Sequence, residues 1–177
     1  MTLRTADDGF SLIDMIFVCG MIGILATIAV PRLLTAKNSA SAASAIATMR
    51  TISTAQLSYA ISCGNGFYAP DLPSLAKPPV ASNTGFVPRD LGSAVTVAKS
   101  GFSITMEGLP VAGAPDTCNA LGVDNAARAF RAGADPMDPA IGRYFATNAL
   151  SVIYEDTASL YAAMPESAPP ASGHPVK

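Results

Sequence analysis

The chain has 177 residues, a formal charge of −2, 50 % hydrophobic residues and only 14 % charged ones, a charge fraction low for a soluble protein. That length allows one domain, or a helical arm plus one modest domain. The charge gives no electrostatic footprint for nucleic acid, and one His (His174) with no Trp leaves most metal and acid–base chemistry short of ligands.

Residues 1–9 are short and polar, with Arg4, Asp7 and Asp8 as their charges. From Phe10 to Val30 the chain is apolar apart from one acid, Asp14. At about 1.5 Å per residue such a helix spans the roughly 30 Å hydrocarbon core of a bilayer. It is too long for the apolar region of an ordinary secretory signal and lacks a strongly basic flank. A carboxylate there costs about 2.5–3.5 kcal/mol on insertion scales, so Asp14 is a functional candidate that needs a partner.

Pro31 breaks or kinks the helix locally, yet the helical pattern resumes. Ala42, Ala45, Met49, Ile52, Gln56 and Tyr59 recur at alternating three- and four-residue steps and form one face, widened by Ile46 and Leu57. Ser44, Thr48, Thr51, Thr54 and Ser58 fall on the other side. Two readings follow: a membrane anchor with a separate amphipathic helix, or one helix from Phe10 to near Ile61. Cys63-Gly64-Asn65-Gly66 ends it, since Asn and Gly supply left-handed turn conformations.

A Pro-rich connector with Pro70, Pro73, Pro78, Pro79 and Pro88 comes next. Phe102–Met106 alternates apolar and polar residues as a half-buried strand does. Ala126–Ala132, Arg143–Thr147 and Ser151–Glu155 are further strand candidates, the last two joined as a hairpin by Asn148-Ala149-Leu150. These predict an α+β fold with three or four antiparallel strands covering one face of the helix. A short closing helix is expected over Asp156–Met164, and a mobile Pro/Ser/Ala-rich tail over Pro165–Lys177. The expected divisions are therefore 1–9, 10–31, 32–62, 63–164 and 165–177.

Cys19 lies inside the apolar run and fits there as a small hydrophobe. Cys63 and Cys118 lie in the part that would be exported, where disulfides persist. Paired, they would close a loop of about 56 residues and constrain the unfolded chain by roughly 4 kcal/mol; two unpaired, partly buried thiols are the other reading. Asp135 and Asp138, with Glu155 and Asp156 later, are weak donors for Ca²⁺, against the simpler reading of a solvated turn beside Pro136. No Ser–His or Cys–His dyad is expected, because His174 lies in the tail far from a positioned nucleophile. Arg128, Arg131 and Arg143 suit a solvent-facing sheet surface, and Tyr59, Phe67, Tyr68, Tyr144, Phe145 and Tyr154 suit core and interface. The residues suggest no enzyme and no cofactor.

Gly9, Phe10-Ser11-Leu12-Ile13, Asp14, Gly23-Ile24-Leu25-Ala26 and Pro31 together resemble the prepilin signature of type IV pilins and type II secretion pseudopilins. Family members have a leader ending in Gly, then Phe-(Ser/Thr)-Leu-(Ile/Val)-Glu and an apolar helix; here Asp14 stands where Glu is usual, and Asp7 and Asp8 where basic residues are usual. The resemblance implies a pilin-like fold. It implies cleavage between Gly9 and Phe10 by a prepilin peptidase, N-methylation of Phe10, and pairing of Asp14 with the new amine of a neighbouring copy or of its own chain. The implied partners are further copies in a filament, minor pilins, an assembly platform and inner-membrane lipid. The implied location is the bacterial inner membrane, single pass with the leader cytoplasmic, then a periplasmic or cell-surface filament. Arg32 and Lys37 beyond the span oppose this orientation on a simple charge count, but large exported domains translocate largely regardless of charge. A monomeric, membrane-anchored periplasmic binding protein or enzyme with an uncleaved helix is the alternative. Asp14 separates the two, because a plain anchor gains nothing from a buried acid.

Overall fold

The computed structural model describes residues 12–80 and 82–176. Helix α1 (Leu12–Ser62) carries Pro31 inside it without ending there. The chain divides into two compact units, Met1–Ser39 and Ala40–Lys177. In the second unit, the helical stripe Ala42, Ala45, Met49, Ile52, Gln56 and Tyr59 is buried throughout. Leu57, expected to widen that stripe, is instead 50 % exposed, since it lies past the edge of the face that meets the sheet.

The end of α1 is fixed by its turn. Gly66 (φ 90°) donates its N–H to the carbonyl of Ala60 at 2.8 Å, and Asn65 before it has φ 51°. Left-handed angles at both positions suit Asn and Gly and few other residues. The connector contains a short helix unmarked in the sequence, α2 (Leu72–Ala76). Asp71 caps it by accepting the Ser74 N–H at 2.8 Å, and Leu72 and Leu75 are buried.

Six antiparallel strands follow in chain order, where three or four were expected: β1 (Thr96–Lys99), β2 (Phe102–Glu107), β3 (Arg131–Pro136), β4 (Tyr144–Asn148), β5 (Ile153–Asp156) and β6 (His174–Pro175). β1 turns into β2 through Ser100 (φ 52°) and Gly101 (φ 82°), the positive angles that a two-residue hairpin loop requires. The Ser100 hydroxyl sits 2.8 Å from that of Ser44, which ties this hairpin to α1.

Three expectations need correction. The strand expected at Ala126–Ala132 lies at Arg131–Pro136, and Ala127 makes only isolated bridges to Tyr68 and Pro110. The true strand reads Arg-Ala-Gly-Ala-Asp-Pro, with low β-propensity, because its small side chains fit between two packed layers. Asp156–Met164 forms no helix: it runs out of β5 into a single turn at Tyr161–Ala163, held by bonds from Ala163 N to Leu160 O and Met164 N to Tyr161 O. The tail expected to be mobile is hydrogen-bonded to the sheet and supplies β6, with His174 opposite Glu155 and Pro175 opposite Tyr154.

The register assigns each strand two faces. Phe102, Ile104, Met106, Ala132, Ala134, Phe145 and Ile153 share a core with Ala42, Ala45, Met49 and Ile52 of α1. Behind the sheet, Ala146 and Tyr154 pack with Leu160 and Met164 from the segment after β5. Gly133 is needed there, since a Cβ would come within 2.6 Å of the Tyr161 Cβ. The second unit is thus three layers: helix, sheet and C-terminal segment.

Candidate functional site

The functional candidates concentrate at the N-terminus. Gly9 and Phe10 lie outside the described residues. Asp14 sits in the first turn of α1. Between it and Arg32 lie 17 residues without a charge, and the 18-residue step from one to the other is about 27 Å of helix. This helix is long and apolar enough to cross a membrane, with a mean hydropathy of 2.4 in its apolar window.

None of that window is buried. Ile13, Ile16, Phe17, Ile24, Leu25 and Leu33 are all exposed, although each would gain about 1.5–3 kcal/mol from full burial. Gly20 and Gly23 would have nothing within 4 Å of an added Cβ, so no contact among the described residues demands glycine at either place. The Thr27 hydroxyl donates to the Ile24 carbonyl at 2.7 Å and that of Thr35 to the Pro31 carbonyl at 3.1 Å, leaving neither hydroxyl without a partner. A surface of this kind matches lipid or other apolar helices far better than water.

Cys63 and Cys118 form a disulfide with Cα atoms 4.8 Å apart; Cys19 is free and exposed. Beside the bond, the Tyr59 hydroxyl donates to Asn119 Oδ1 at 3.3 Å, and its ring meets Phe86 edge-on at 5.2 Å. Burial pushes the Tyr59 phenol above its ordinary pKa, partly offset by hydrogen bonding to Thr117. Gln56, fully buried on α1, donates to the Ala69 carbonyl at 2.8 Å and accepts the Ala69 N–H at 3.0 Å, which pins the connector to the helix.

The structure separates the weak Ca²⁺ candidates by task. Asp135, on β3, accepts from the Ser159 hydroxyl at 2.7 Å, whereas Asp138 accepts the Ala140 N–H at 2.9 Å and caps a 3-10 turn at Pro139–Ile141. Among the described residues no three His, Cys, Asp or Glu side chains gather as metal ligands. Two of the arginines are ion-paired: Arg131 donates to Glu107 at 3.0 Å, and Arg143 holds Glu155 through Nε and one Nη, the latter bond being 2.8 Å. Hydrogen bonds from these guanidinium groups hold the Glu107 and Glu155 carboxyls below the usual range.

The Glu107–Arg131–Tyr161 network, which fastens the C-terminal segment to the sheet, was not foreseen. Tyr161 donates to Glu107 at 3.1 Å and Arg131 lies over its ring at 5.3 Å. Its only sequence signal is a Glu ending one strand and an Arg starting the next, and that pairing needs the register to be known. An open cleft of about 370 Å³ lies on the second unit, lined by Arg50, Thr51, Thr54, Ser58 and Phe86. His174 stands on β6, in a cleft with Arg143 and Glu155. No family model matches the chain, and neither does any curated protein or solved structure.

Proposed function

We propose that this chain is a structural subunit of a type IV pilus-like or type II secretion pseudopilus filament. A prepilin peptidase cuts it between Gly9 and Phe10 and methylates the new Phe10 amine; the subunit waits in the inner membrane and assembles through α1. The observation that supports this reading is the apolar half of α1, uncovered among the described residues, with one acid at its start. Lipid covers such a surface before assembly, and the α1 helices of other copies cover it afterwards. Asp14 then meets the Phe10 cation of a neighbour, so each charge offsets the cost of burying the other. Aspartate is one methylene shorter than glutamate, so this pairing brings the two backbones closer. Minor pilins and an assembly platform are the further partners of this reading.

Assembly of Asp14→Ala subunits tests it. The variant inserts in the membrane but yields no sedimentable filaments, while Asp14→Glu restores them. Filaments of normal yield from Asp14→Ala refute the pairing.

A further inference from the structure

We propose that the Cys63–Cys118 disulfide is a redox latch: it holds the long β2–β3 connection on the C-terminal end of α1, and its reduction frees that end while the sheet stays folded. The inference does not depend on the filament reading.

The connection covers residues 108–130 and contains no strand, only isolated bridges at Ala127. At the end of α1 residues 116–119 are held by the disulfide, by hydrogen bonding of Tyr59 to Thr117, and by Cys118 N to Cys63 O at 3.2 Å, Tyr59 Oη to Asn119 Oδ1 at 3.3 Å and Asn65 Nδ2 to Asp116 O at 3.3 Å. These last three lie at or beyond the long end of the ordinary range. Further along, Ala127 exchanges backbone bonds of 2.8 and 2.9 Å with Tyr68, past the end of the helix. On the α2 side the bonds are shorter, Asn119 Nδ2 to Ser74 O at 2.9 Å and Lys77 Nζ to Ala120 O at 2.8 Å. The covalent bond is the strongest tie of residues 116–119 to the end of α1, and without it the connection remains attached to α2 and, through Ala127, to Tyr68. Neither cysteine belongs to a strand, so the β2–β3 ladder from Phe102↔Pro136 to Glu107↔Arg131 does not need the bond.

Cys118 is exposed and Cys63 only 4 % exposed, so an incoming thiolate reaches the Cys118 sulfur and expels Cys63 as the leaving thiolate. A second thiol of the reductant then attacks the mixed disulfide, leaving two protein thiols and one oxidised dithiol. Closure is the reverse. A disulfide donor takes two electrons from Cys63 and Cys118 and becomes two thiols.

The full-length chain in detergent micelles is treated with dithiothreitol without denaturant, alkylated, and followed by hydrogen-exchange mass spectrometry. Before reduction neither Cys63 nor Cys118 is alkylated; afterwards both are labelled. Exchange over 59–66 and 109–125 accelerates about tenfold or more, while β2 to β5 keep their protection. A Cys63→Ser, Cys118→Ser double variant shows the same local pattern. Failure of dithiothreitol to expose the two thiols, or unchanged exchange in both segments, overturns the latch. So does loss of protection throughout β2–β5, or a double variant that does not fold, since either makes the bond a staple of the whole head.

Discussion

The two halves of α1 belong to one helix, differ in composition and end in opposite situations. From Ala42 to Ala60 one stripe of the helix is buried against a sheet that supplies Phe102, Ile104, Met106 and Phe145. From Leu12 to Leu34 the large apolar residues are exposed among the described residues. Folding alone explains the half from Ala42 to Ala60. The surface of the half from Leu12 to Leu34 suits an apolar surrounding, lipid or other helices, in the place that the sheet takes for the other. The arrangement of apolar residues differs accordingly: a stripe where one side must stay wet, and an all-round surface where no side does.

The largest effect that separates the halves comes from truncating one aromatic in each. Phe102→Ala removes a fully buried ring and costs about 3–5 kcal/mol of head stability in urea unfolding of the detergent-solubilised chain. Phe17→Ala, in the uncovered half, leaves the same transition within about 0.5 kcal/mol. Equal losses from both would show that the halves are not distinct.

Next in size is Gln56→Ala, which leaves the buried N–H and C=O of Ala69 without partners and costs about 1–3 kcal/mol. Gly133→Val, which drives a side chain into Tyr161, costs about 1–3 kcal/mol and frees the C-terminal segment first, read as faster exchange over 157–168.

The smallest effect is electrostatic. The Glu155 carboxyl is held down by Arg143, so it binds its proton at lower pH in the folded chain than in the unfolded one. Its stabilisation is fully present above the unfolded value, about 4.3, and is lost as pH falls through the depressed folded value. Arg143 is 41 % exposed, so solvent screening limits the pair to about 0.2–1 kcal/mol. Arg143→Gln therefore lowers stability slightly at pH 7 and makes the loss below pH 4.3 shallower, which acid titrations of the two chains at matched ionic strength will show.

How far the sequence could be read followed from how local the information was. The buried stripe of α1 and the Asn65-Gly66 stop depend on near neighbours, and β2 alternates cleanly. β3 was misplaced because its residues are small for reasons that lie on other segments: α1 on one side and Tyr161 on the other. The closing segment reads as helical by composition, but Leu160 and Met164 are claimed by the back of the sheet. The tail looks disordered by composition, yet Asn148, in β4, donates to the carbonyls of Pro165 and Ala168 and holds it in place. At the N-terminus the sequence offered a spacing of Gly9, Phe10 and Asp14. The structure adds that the apolar half of the helix after them is uncovered among the described residues.

The central claim is that the uncovered half of α1 is exposed for assembly after processing, and the mass of the mature chain tests it most directly. The account predicts a chain that begins at N-methylated Phe10, and that remains at its precursor mass when the prepilin peptidase is deleted. A mature chain that keeps Met1, or one cut beyond Ala36, would contradict it.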